Sequence, residues 1–127
     1  MKKIMTRLLS LVLLGTFIPG FVLADNWYLE NGDITVTATE ASQTVSQGST
    51  TKPDSAPIIS NSSGGESSAS TNNTVTIKAE GNATANVTLE NVNIDTGTTD
   101  EAAITTSGEG NVNIELNGTN TVQSGNT

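Results

Sequence analysis

Val75-Thr-Ile-Lys-Ala-Glu-Gly-Asn-Ala-Thr-Ala-Asn-Val-Thr-Leu-Glu-Asn-Val-Asn-Ile94 and Ala102-Ala-Ile-Thr-Thr-Ser-Gly-Glu-Gly-Asn-Val-Asn-Ile-Glu-Leu-Asn-Gly-Thr-Asn-Thr121 are one pattern written twice. A shift of 27 residues sets Val75 over Ala102, Ile77 over Ile104, Gly81 over Gly108, Ala85 over Val112, Asn86 over Asn113, Val87 over Ile114, Leu89 over Leu116 and Asn93 over Asn120. Apolar falls on apolar and glycine on glycine. Within each copy the apolar residues alternate with polar ones, the period of a strand with one buried face. A repeat in the twenties built from short strands, with no helical pattern, belongs to a chain that stacks coils of itself: an all-β β-solenoid.

The strands and corners follow from the same stretch. Val75, Ile77 and Ala79 face inward, Gly81-Asn82 turns the chain, and Ala85, Val87 and Leu89 face inward again. The step of three from Leu89 to Val92 breaks the alternation and predicts a corner at Glu90-Asn91. In the second copy Ala102 and Ile104 are the expected inward pair, followed by a turn at Ser107-Gly108-Glu109-Gly110. Val112, Ile114 and Leu116 come next, then a corner at Asn117-Gly118. Each inward row can be buried only by the coil beside it, so the coils must stack to be stable.

Working outward, Met1–Arg7 is short and basic and Leu8–Leu23 is apolar, with Val22-Leu-Ala24 before Asp25. This is the pattern of a secretory signal peptide over residues 1–24, cleaved before Asp25. The apolar run, broken by Pro19-Gly20, is shorter than the roughly 20 residues a membrane-spanning helix needs. Residues 25–40 read as a cap and first strand, in which Trp27 and Tyr28, the only Trp and Tyr, plug the end of the core ahead of Ile34, Val36 and Ala38. Residues 41–73 are rich in Ser, Thr and Gly and read as a partly flexible loop, with one further strand available around Ala56–Ser60. Residues 74–127 hold the coils and stop after Gln123-Ser-Gly125 with no closing element, the expectation being the N-terminal part of a longer protein whose β-helix is incomplete at its C-terminus.

Composition narrows the chemistry. Apolar residues are 34% and aromatics 3%, too few for a thick two-layer core. Beyond the leader, only Lys52 and Lys78 oppose 13 acids. A chain this acidic repels nucleic acid and anionic membranes, leaving cations, glycans and basic partners. Without Cys or His there is neither a disulfide framework nor a Ser–His or Cys–His nucleophile pair. No Arg lies beyond the leader, Lys78 stands alone, and the adjacent Asp100 and Glu101 point apart on an extended chain. The expected protein is therefore not an enzyme.

What remains is the outward rows. In-register coils bring Asn86 beside Asn113, Thr88 beside Glu115 and Asn93 beside Asn120. Such ladders either satisfy the solvated faces or present donors and acceptors to a glycan chain. Asn86, Thr88, Asn93, Asn113, Glu115 and Asn120 are thus the candidate carbohydrate-binding residues. Asp95, Asp100 and Glu101 are the candidate calcium ligands, although no DxDxDG loop is present. The residues themselves indicate no other cofactor. The Asn-X-Ser/Thr matches at Asn61, Asn72, Asn82, Asn86 and Asn117 are what chance supplies in a chain this rich in Asn and Thr.

The segments Ala85-Asn-Val-Thr-Leu-Glu-Asn-Val-Asn-Ile94 and Gly110-Asn-Val-Asn-Ile-Glu-Leu-Asn-Gly-Thr-Asn-Thr-Val-Gln-Ser-Gly125 resemble the clostridial-type extracellular carbohydrate-binding β-helix domains of Firmicutes surface proteins. The resemblance implies a right-handed parallel β-helix that is secreted or at the cell surface. It also implies a calcium-bearing surface for polygalacturonate-type glycans, without catalysis. The expected partner is a polysaccharide or cell-surface glycan, with no nucleic acid and no membrane after leader removal. The alternative is a structural or adhesive stalk with no glycan ligand of its own.

Overall fold

The computed structural model describes residues 24–63 and 69–125. The leader reading, apart from Ala24, lies outside them. In chain order the strands are β1 (Asn26–Tyr28), β2 (Ile34–Ala38), β3 (Gln43–Gln47), β4 (Thr50–Pro53), β5 (Ile58–Ser60) and β6 (Val75–Ala79). They are followed by β7 (Thr84–Glu90), β8 (Asn93–Asp95), β9 (Ile104–Ser107), β10 (Asn111–Asn117) and β11 (Thr121–Gln123). A single 3-10 turn, Leu29–Asn31, follows β1. They wind into a β-solenoid of about three turns with parallel sheets. Sheet A runs β1-β5-β7-β10, sheet B runs β4-β3-β2-β6-β9, and sheet C pairs β8 with β11.

Alternation places the core. Val75, Ile77 and Ala79 of β6, Ala85, Val87 and Leu89 of β7, and Val92 with Ile94 at β8 are all buried. In β7 the intervening Thr84 and Asn86 are exposed and Thr88 and Glu90 half-buried. The corners use backbone conformations that local chemistry selects. Asn91 (φ 54) and its counterpart Gly118 (φ 72) both take the left-handed region, which Gly and Asn tolerate best. Gly108 (φ 97) lies so close to the Ala79 carbonyl that a Cβ there would collide with it.

The repeat does not stack at one constant offset. β7 and β10 pair 27 residues apart, Val87 on Ile114 and Leu89 on Leu116. β6 and β9, however, pair Val75 with Ile104, and β8 and β11 pair Asn93 with Thr121. The turn entering β10 is two residues shorter than the one entering β7, and the corner entering β11 is one residue longer than that entering β8. Two expectations are corrected as a result. Ala102 is exposed, while Ala103 is buried and Ile104 half-buried, and Asn93 does not lie beside Asn120. Ladder hydrogen bonds and the inward rows set the register strand by strand, and the corners absorb the differences in length.

The stretch expected to be loop between residues 41 and 73 supplies three strands. β3 lies antiparallel on β2, and β4 on β3, through a tight turn at Gly48-Ser49. This hairpin covers one edge of sheet B and ends in exposed Lys52 and Pro53, both of which discourage further strand pairing. β5 continues sheet A, as the sequence around Ala56–Ser60 allowed. Trp27, Leu29 and Val45 fill the core at this end. Trp27 therefore plugs the core as expected, but Tyr28, the next residue along β1, is half-buried. At the opposite end the inward-row residues Ile114, Leu116 and Val122 remain 38%, 63% and 44% exposed.

A polar side chain replaces the backbone partner where β5 leaves part of β7 uncovered. β5 meets β7 only at Ile58–Thr88 and Ile59–Leu89, so the backbone of Asn86 has no strand on that side. Gln43 takes its place: its Oε1 accepts from Asn86 N (2.9 Å) and its Nε2 donates to Asn86 O (2.9 Å) and Asp54 O (3.0 Å). Gln43→Ala leaves these partly buried backbone groups unpaired and is expected to cost about 1–3 kcal/mol. Urea unfolding of the two proteins checks it, and equal midpoints would show that the bridge contributes nothing.

Candidate functional site

The outer surface of sheet A brings four of the six candidate glycan residues together. β7 and β10 are in register, so Asn113 lies on Asn86 and Glu115 on Thr88, at the strand spacing of about 4.8 Å. Asn113 Nδ2 donates to Asn86 Oδ1 at 3.0 Å, and Thr88 Oγ1 donates to Glu115 Oε1 at 3.5 Å. The four residues line a shallow, open depression of about 260 Å³ together with Ala56 and Val87. Parallel pairing extends one row across all four strands as Asn26, Ile58, Thr88 and Glu115. On the adjoining row Tyr28 neighbours Ser60. Sequence reasoning assigned Tyr28 to the core because an aromatic pair ahead of a repeat suggests a plug. The period of two in β1 separates it from Trp27 onto this outer side.

Asn93 and Asn120 are not part of this ladder. Asn120 is committed to the corner: its Oδ1 accepts from Val92 N (2.9 Å) and its Nδ2 donates to Asn117 O (3.1 Å). At Asn93 it is the backbone that is engaged, by the buried side chain of Asn61, whose Oδ1 accepts from Asn93 N (2.8 Å) and whose Nδ2 donates to Asn93 O (3.0 Å). Asn91 does the same for the next coil, its Oδ1 accepting from Thr119 N at 2.9 Å. The side chains of Asn61, Asn91 and Asn120 thus join one coil to the next.

The acids proposed for calcium lie around the turn after β8. Asp95 Oδ1 accepts from Gly97 N at 2.8 Å, and the buried Thr96 hydroxyl donates to Glu101 O at 2.7 Å. The turn is thus closed by its own hydrogen bonds. Among the described residues no group of three or more His, Cys, Asp or Glu side chains is arranged to hold a metal ion, Asp95, Asp100 and Glu101 included. Asp95 instead borders a second open depression of about 440 Å³ with Ser70, Thr71, Asn72 and Thr98. Lys78 is exposed on β6, in register with Thr37 and Ser107.

No family model, curated protein or solved structure matches the chain. Among the described residues no helix is long and apolar enough to cross a membrane.

Proposed function

We propose that this chain is a secreted or cell-surface, non-catalytic carbohydrate-binding β-helix module that holds a polysaccharide along the outer face of sheet A. The observation that carries the proposal is the in-register row of Asn86, Asn113, Thr88 and Glu115 beside an open, shallow depression. Amides, a hydroxyl and a carboxylate repeated at strand spacing suit the hydroxyls of an extended sugar chain better than a compact small molecule. Tyr28 adds a partly exposed ring to the same sheet. A neutral glycan can meet this surface directly, whereas a polyuronate meets Glu115 as a like charge and needs calcium between them.

Affinity electrophoresis of the full chain in gels containing neutral polysaccharides, or polygalacturonate with and without calcium, tests this reading. Retardation by one glycan is expected, and Asn113→Ala and Glu115→Ala should each weaken it by roughly fivefold, the worth of about one hydrogen bond. Polygalacturonate retardation that a chelator abolishes places calcium at the contact. No retardation by any glycan sinks the proposal and favours the stalk. The Asn113–Asn86 hydrogen bond supports that second reading, because it spends one donor and one acceptor of the ladder between the strands themselves.

A further inference from the structure

We propose that removal of the leader before Asp25 creates an N-terminal ammonium that is captured by the buried carboxylate of Asp54, locking the cap of the solenoid only in the processed protein. The inference rests on reading residues 1–24 as a cleaved leader. Asp54, directly after β4, is completely buried. Its Oδ2 accepts from the Trp27 indole Nε1 at 2.8 Å and from the backbone nitrogen of Asp25 at 3.1 Å, and its Oδ1 accepts from Ala56 N at 3.1 Å. All three donors are neutral. Among the described residues the one ion pair joins Lys52 Nζ to the Asp25 side chain at 3.0 Å, so the nearby cation is engaged elsewhere. A buried carboxylate without a counter-charge is costly, and pairing it with a well-placed cation removes much of that cost.

One of those donors is the nitrogen that cleavage would change. Hydrolysis of the Ala24–Asp25 bond puts the hydroxyl of water on the Ala24 carbonyl carbon and a hydrogen on the Asp25 nitrogen. The proton released by the new Ala24 carboxyl completes the ammonium. The neutral amide donor at 3.1 Å then becomes a charged one, which adds an ion pair to a hydrogen bond the carboxylate already accepts. Its position is already set from several sides. The Asp25 carbonyl accepts from Ile58 N at 3.0 Å, Asn26 begins the pairing of β1 with β5, and Lys52 holds the Asp25 carboxylate while lying 5.3 Å from the Trp27 ring centroid. Ala24 is exposed, so the bond to be cut is at the surface.

The charged groups facing the new terminus are Asp54, the Asp25 carboxylate and Lys52. With the two carboxylates outweighing the lysine, the ammonium is held protonated above the usual α-amino range. A group raised in this way contributes stability that is fully present below its unfolded value, about 7.7–8.0 for an α-amine, and lost as the pH rises through the folded one.

The test is to secrete the full chain from a host that processes leaders and define its first residue by intact mass and N-terminal sequencing. The α-amino group is then titrated by NMR through the Asp25 Cα resonance. Chains beginning at Asp25 are expected, titrating above the usual α-amino range, with a thermal midpoint that falls as this group deprotonates. Asp54→Asn should return the titration to the usual range and remove that alkaline fall. A glycine inserted after Ala24 moves the ammonium one residue away and should have the same effect even if Asp54→Asn does not fold. A first residue other than Asp25 overturns the leader reading and the clasp with it. A chain that begins at Asp25 but titrates in the usual range overturns the clasp alone.

Discussion

Leu89→Asp is expected to destabilise the full chain by about 4 kcal/mol or more, while Leu116→Asp, at the equivalent position 27 residues later, costs less than about 1 kcal/mol. The two leucines are indistinguishable in the repeat, and sequence alone assigns both to the core. Leu89 is 1% exposed, between Ile59 of β5 and Leu116 of β10, so a carboxylate there has no partner and no route to water. Leu116 stacks on Leu89 by one side only and is 63% exposed, so its replacement can hydrate. Urea unfolding followed by circular dichroism gives both values. Equal costs at the two positions would show that Leu116 is covered in solution.

Trp27→Ala should cost about 3–5 kcal/mol, the range for emptying a large aromatic site. The indole is buried at the capped end with Leu29 and Val45 in the same core, and its N–H is one of three donors to Asp54. Trp27→Phe separates the two contributions. It keeps a buried aromatic ring while removing the hydrogen bond to the buried carboxylate and the second ring of the indole, for an expected loss of about 1.5–3 kcal/mol. If Trp27→Phe is neutral, Asp54 is satisfied without the indole and the cap is held by packing alone. Thermal unfolding of the three proteins at one pH decides between these outcomes.

Much of the scaffold is legible in particular residues. The alternation from Val75 to Ala79 and from Ala85 to Leu89, the corner at Asn91 and the turn at Gly108 are all local signals, and the structure has them at those places. Two of the three pairs of the outer ladder are legible for the same reason, since Asn86–Asn113 and Thr88–Glu115 lie on the pair of strands that does keep the offset of 27. Asn93 and Asn120 are not, because a corner one residue longer moves Asn120 off its partner and into the turn. The hairpin of β3 and β4 is hidden by its composition. Gln43 and Gln47 read as loop residues, yet Gln43 caps an unpaired strand and Gln47 Nε2 donates to Tyr28 O and Gly32 O at 2.7 and 2.8 Å.

By itself the sequence determined that this chain is a stack of short strands, which side chains of β6, β7 and β8 face inward, and where the chain turns between them. Those properties follow from the period of two and from the few residues that tolerate a left-handed backbone. Only the tertiary structure decided which residue of one coil meets which residue of the next, that Leu116 lies open while Leu89 is enclosed, and that Asp54 is buried against Trp27 and the nitrogen of Asp25. Register and burial are set jointly by ladder hydrogen bonds and by the coils on either side, and neither is encoded in any single strand.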